Sequence, residues 1–158
     1  MNESIIRRAV ELSDPDLARE ALQEIDVLLG LSSDQNERVY LLFSRAFCYG
    51  ILGDFLEARR QLAIALEEGH GDPYARVSFD FGAGLLFQRE GNYAEALDAF
   101  SAALSAHSQQ LKSPELRFMY EDIQQRRAFL SVTLSRFRDA VPLLKESLSF
   151  DLGQGTAK

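Results

Sequence analysis

The triplet Asp80-Phe81-Gly82 has the most chemical content in the chain, because the same three residue types in that order form a metal-binding tripeptide in phosphoryl transfer. That chemistry also needs a catalytic loop, a glycine-rich loop over the phosphates and a strand lysine, and the chain has none of them. The other reactive residues are as isolated. The two histidines, His70 and His107, have no carboxylate or thiol at metal-ligand spacing. The lone Cys48 lies between Phe47 and Tyr49 and reads as a small buried hydrophobe, with no third group to orient a Cys-His nucleophile. Among 24 acidic residues no pair stands out as an acid-base couple. The residue types therefore predict no catalytic residue, no cofactor, no metal and no enzyme activity.

Bulk composition narrows the class further. A net charge of −7 over 158 residues argues against nucleic acid, which needs a concentrated surplus of Lys and Arg. The arginine pairs Arg7-Arg8, Arg59-Arg60 and Arg126-Arg127 each lie close to acidic residues and read as solvated helix faces. One cysteine excludes an internal disulfide. The segment "MNESIIRRAVEL" lacks the apolar core of a signal peptide, and the apolar run from Val39 to Leu52 is broken by Ser44 and Arg45. The expectation is a cytoplasmic chain with no membrane partner.

The elements that position these residues are helices that repeat. "GDFLEARRQLAIAL" from Gly53 and "GNYAEALDAFSAAL" from Gly91 share a glycine, a polar residue, an aromatic and then Glu-Ala. "SRFRDAVPLLKESL" from Ser135 follows the same order, and "DLAREALQEIDVLL" follows it more weakly with Ala21 as its alanine. Twelve positions before the alanines Ala21, Ala58, Ala96 and Ala140 stand Ala9, Ala46, Gly84 and Ala128, at intervals of 37, 38 and 44 residues. Four residues after each alanine is a large apolar residue: Ile25, Leu62, Phe100 or Leu144. A small residue at the middle of each helix lets two antiparallel helices approach closely, and spacings of three and four build the buried stripe.

Four helical hairpins follow, over 3–30, 36–69, 74–109 and 114–150, in one domain covering 1–152 with a disordered tail at 153–158. Asp16, Ser33 or Asp34, and Ser113 before Pro114 are the expected helix caps. Asp80 falls in a column that is otherwise apolar, and an ion pair with Arg45 on a neighbouring helix is expected for it.

The pattern resembles the tetratricopeptide repeat family over nearly the whole chain. The resemblance is strongest at Ala46, Tyr49, Gly53 and Ala58 and at Gly84, Phe87, Gly91 and Ala96. It implies an all-α fold, an α-α superhelix (a right-handed solenoid) of about four antiparallel hairpins. It also implies a concave face lined by first-helix residues one after and three before each small residue. Those positions hold Phe43 and Phe47, with Tyr40 a turn earlier, Phe81 and Leu85, with Arg89 a turn on, then Gln125 and Phe129, and Ile6 and Val10. Members that hold an acidic carboxyl terminus use lysines and asparagines there, so that clamp is absent. The resemblance implies a protein or peptide partner held on the apolar strip, with Arg89, Asp122 and Arg126 orienting it at the rim. The alternative is a homodimer through the last hairpin, whose Leu144, Leu148 and Phe150 have no capping helix to cover them.

Overall fold

Helix boundaries follow from where the chain can satisfy the free amides and carbonyls of each helix end. The computed structural model describes residues 3–134 and 137–155, with side chains over 5–134 and 139–149. Helix α1 is Glu3–Leu12, α2 is Pro15–Leu31, α3 is Gln35–Ile51 and α4 is Phe55–Glu68. Helix α5 is Pro73–Arg89, α6 is Tyr93–Ala106, α7 is Arg117–Thr133 and α8 is Phe137–Gly155. No strand occurs among the described residues.

Aspartates start four of these helices. Asp34 accepts from the Glu37 amide at 2.8 Å, Asp54 from Glu57 at 3.1 Å and Asp72 from Tyr74 at 2.9 Å. Pro73, at the start of α5, supplies a fixed φ where no amide donor is needed. The turns between α3 and α4 and between α5 and α6 are the same structure. Gly53 and Gly91 have φ of 81° and 83°, a conformation that costs a side chain energy. The next amides, of Asp54 and Asn92, reach back to the carbonyls of Tyr49 and Phe87 at 3.0 and 2.9 Å, closing the helix ends.

The first hairpin departs from its expected register. Its left-handed turn residue is Ser13, with φ of 51°, and the cap of α2 is Asp14 rather than Asp16. Asp14 accepts from the amides of Asp16 and Leu17 at 2.8 and 3.2 Å. Ala18, four residues after its cap, therefore holds the place of Ala58 and Ala96, while Ala21 lies a turn further in. Both alanines are fully buried.

The long interval between the third and fourth small residues is a folded connector. Helix α6 ends at Ala106, three residues short of the expected end, and the chain makes two 3-10 turns, Gln110–Lys112 and Pro114–Leu116. Ser113 opens the second of these turns and does not cap α7. Leu111 and Leu116 from this connector are buried with Phe100 and Ile123 in one apolar cluster. Asp80 fastens it: His107 Nε2 lies 2.6 Å from Asp80 Oδ2, and Arg76 Nε lies 3.5 Å from the same oxygen. The expected partner Arg45 instead holds Asp26 at 2.9 Å.

Each helix packs on its chain neighbours, and α1 on α3 and α3 on α5 form an inner layer. Close approach is enforced at Gly84, where an added Cβ would lie 2.6 Å from Phe100 Cε1. Helix α8 continues through Gly155 with Pro142 inside it, so residues 153–155 of the expected tail are helical and 156–158 lie outside the described residues. Among the described residues, no helix is long and apolar enough to cross a membrane.

Candidate functional site

Ala9 packs with Ala18 and Ala21 of α2, Ala46 with Ala58 and Leu62 of α4, and Gly84 on Phe100 of α6, which turns the residues flanking them to the inner side. There α1, α3, α5 and α7 enclose a groove of about 460 Å³. Its wall and floor are Ile6 and Val10 from α1, Tyr40, Phe43 and Phe47 from α3, Phe81 and Leu85 from α5, and Phe118 and Met119 from α7. A second hollow of about 480 Å³ continues it, sharing Val10, Phe47, Leu85 and Arg126 and adding Ser13, Gln88, Arg89, Tyr93 and Phe129. The first hollow is mainly apolar, with Arg7, Glu11 and Asp122 also in its lining, and the second is the more polar end of the groove.

The expected strip divides between core and surface. Phe43 is 8% exposed and packs with Leu42 and Leu62, whereas Tyr40 is 53% and Phe129 59% exposed. Phe47, Phe81 and Leu85 are half-buried. Phe81 is held from below by Phe100, with ring centroids 6.0 Å apart and planes at 48°. Gln125 is exposed on α7 and lines neither hollow. Leu144 and Leu148 are exposed on α8 with Val141, away from the groove, and the Phe150 side chain lies outside the described residues. Phe118, 63% exposed, was not foreseen as a lining residue. It stands one turn before Asp122 on the same helix face, so extending the strip by one turn would have found it.

The polar end is built from two arginines. Arg126 donates through Nε to Asp122 Oδ2 and through Nη1 to Gln88 Oε1, both at 2.9 Å. Arg89, the last residue of α5, donates through Nη2 to the Ser13 hydroxyl at 2.5 Å, joining the first hairpin's turn to the third hairpin. Burial lowers the pKa of the Arg89 guanidinium, and the neighbouring charge of Arg126 lowers it further.

Outside the groove, His107 is engaged by Asp80 and Cys48 is buried. Burial pushes the Cys48 thiol up to about 11, which leaves little thiolate near neutral pH. Among the described residues, no group of three or more His, Cys, Asp or Glu is placed to hold a metal ion. A separate hollow of about 580 Å³ between α6, the connector and α7 is lined by Leu104, Leu111, Pro114 and Tyr120.

Residues 52–110, which include the turns at Gly53 and Gly91, match the tetratricopeptide repeat family. No curated protein and no solved structure matches the chain.

Proposed function

We propose that this chain, a tetratricopeptide-repeat protein, is a non-enzymatic scaffold that holds a peptide segment of a partner protein in its concave groove. The observation that carries the proposal is the convergence of Tyr40, Phe118 and Phe129, all more than half exposed, on the rim of one groove with an apolar floor. Exposed aromatics around a preformed hollow are where binding energy concentrates, because they bury much area at little conformational cost. The groove is bounded by helices on its sides, which suits an amphipathic helix or an extended segment with apolar anchors.

The test is selection of short random peptides displayed on phage against the purified chain and against a Tyr40→Ser/Phe129→Ser variant. Both replaced side chains are exposed, so helicity by circular dichroism should be unchanged. The groove reading predicts enrichment of peptides with apolar anchors on the parent chain and none on the variant. Enrichment of the same peptides on both would overturn it.

A second reading rests on α8, where Val141, Leu144 and Leu148 expose an apolar stripe. Pairing of two copies through that stripe predicts a solution mass near twice 17.8 kDa by light scattering, reduced to the monomer by Leu148→Glu. A mass near 17.8 kDa over about a tenfold concentration range would exclude it.

A further inference from the structure

Two guanidinium groups share the polar end of the groove, yet only one has a carboxylate. Arg126 is neutralised by Asp122 at 2.9 Å. Arg89 forms no ion pair among the described residues, and its one polar side-chain contact is the neutral Ser13 hydroxyl. The acid that lines this hollow, Glu11, accepts from Arg7 at 2.6 Å. The carbonyls at the end of α5 carry about half a negative charge, which offsets part of the Arg89 charge. An uncompensated positive charge remains in a half-buried hollow, although the chain as a whole is −7. Donors remain as well: Arg89 uses one of about five guanidinium N–H groups and Arg126 uses two of its own.

We infer that the polar end of the groove is a carboxylate subsite formed by Arg89 and Arg126, so that the peptide held there carries an Asp or Glu side chain beside its apolar anchors. This rests on the groove reading above and names its partner more closely. Planar guanidinium donors match a carboxylate in pairs, which fixes the direction in which a peptide lies. A single net positive charge fits a single carboxylate. A phosphate carries nearly twice that charge, and the chain's net charge of −7 opposes polyanions.

The experiment uses the displayed-peptide selection, followed by synthetic peptides copied from the enriched sequences, each made with its acid, with the matching amide (Asp→Asn or Glu→Gln) and with phosphoserine. The parent chain should enrich Asp or Glu at a constant offset from the apolar residues. Replacing the acid by the amide should weaken binding about tenfold on the parent and leave binding unchanged on Arg89→Gln. Arg89→Lys should recover part of the preference, since it keeps the charge and loses the fork. Higher ionic strength should weaken the acidic peptide more than the amide. Arg89 is partly covered in the hollow but solvent-accessible, and its one polar side-chain contact is with Ser13, so both variants should keep the parent's helicity by circular dichroism.

Enrichment of apolar peptides with no acidic preference overturns the subsite and leaves the groove reading standing. An acidic preference that survives in both Arg89→Gln and Arg126→Gln also overturns it, because the acid is then read elsewhere. Phosphoserine binding far more tightly than the acid would assign the subsite to phosphate and overturn the carboxylate. Failure of the parent chain to enrich any peptide removes the groove reading, and the subsite with it.

Discussion

Gly84→Ala tests whether close packing of α5 on α6 sets the groove. On an open helix the substitution stabilises by about 1 kcal/mol, because alanine loses less backbone freedom than glycine. Here the new Cβ would lie 2.6, 2.8 and 3.0 Å from Cε1, Cδ1 and Cζ of Phe100, whose ring is fully buried. Carbon atoms prefer about 3.5–4.0 Å, so three contacts are violated at once by a ring with no free space to enter. Overpacking of this kind costs about 1–3 kcal/mol, and three simultaneous overlaps place it at the upper end. The net expectation is a loss of about 2 kcal/mol, or about 4–8 °C in melting temperature.

The same substitution at Gly30, where nothing lies within 4 Å of the built Cβ, should stabilise by up to about 1 kcal/mol. Thermal and urea unfolding followed by circular dichroism give both numbers. In Gly84→Ala/Phe100→Leu the ring is gone, so the double variant should be at least about 1 kcal/mol more stable than the two single losses added together. Because Phe100 supports Phe81 in the groove, Gly84→Ala should also weaken peptide capture. A Gly84→Ala chain as stable as the parent would refute the packing argument.

Three other outcomes follow from the structure. Cys48 should resist a thiol reagent such as Ellman's in the native chain and react once the chain is unfolded. Its thiol rises from 9.0 to about 11 on folding, so the folded state holds the proton more tightly; stability from this group is constant below pH 9 and falls between pH 9 and about pH 11, which urea unfolding across that range measures. Asp80→Ala leaves the buried His107 ring without its partner and should cost about 1–3 kcal/mol, with hydrogen exchange accelerated first at Leu111 and Leu116 in the connector. Arg38 binds the Leu29 carbonyl at 2.9 Å and Glu68 at 2.6 Å and so ties α3 to the ends of α2 and α4; Arg38→Ala should cost about 1–2 kcal/mol, whereas Arg19→Ala, in an exposed pair with Asp16, should stay within about 0.5 kcal/mol.

Much of this architecture was legible from residue types because its determinants are local. Gly53 and Gly91 mark turns whose positive φ admits little else, and aspartates at positions 34, 54 and 72 meet free amides within the next few residues. The misplaced first turn shows the limit of that logic. Asp14 and Asp16 are both good caps, and Pro15, which needs no amide partner, decides for the earlier one; Ser13 then takes the left-handed position that the pattern reserves for glycine.

The Asp80 pairing was not legible because it depends on the connector. Ending α6 at Ala106 brings His107 to Asp80 from 27 residues away, while Arg45 is occupied by Asp26. The resemblance to the repeat family named the groove strip from Tyr40 to Phe129 but could not divide it into core and rim, since that depends on how the neighbouring helices pack. Phe43 packs into the core with Leu42 and Leu62 of its own hairpin, and Phe118 reaches the groove from a turn that the counting did not cover. The Arg89–Ser13 contact links residues 76 apart and carries no sequence signal.

Site-specific photocrosslinking distinguishes a partner held on the concave aromatic face from one held by apolar exposure in general. A benzophenone amino acid replaces Phe129 in one sample and Leu56 in another, each irradiated with a peptide enriched on the parent chain. Leu56, on α4 and outside the groove, is 82% exposed and so controls for indiscriminate apolar adhesion. Position 129 should give a crosslinked product and position 56 none. Equal labelling from both positions, or labelling from position 56 alone, would mean that the aromatic face is not the binding surface.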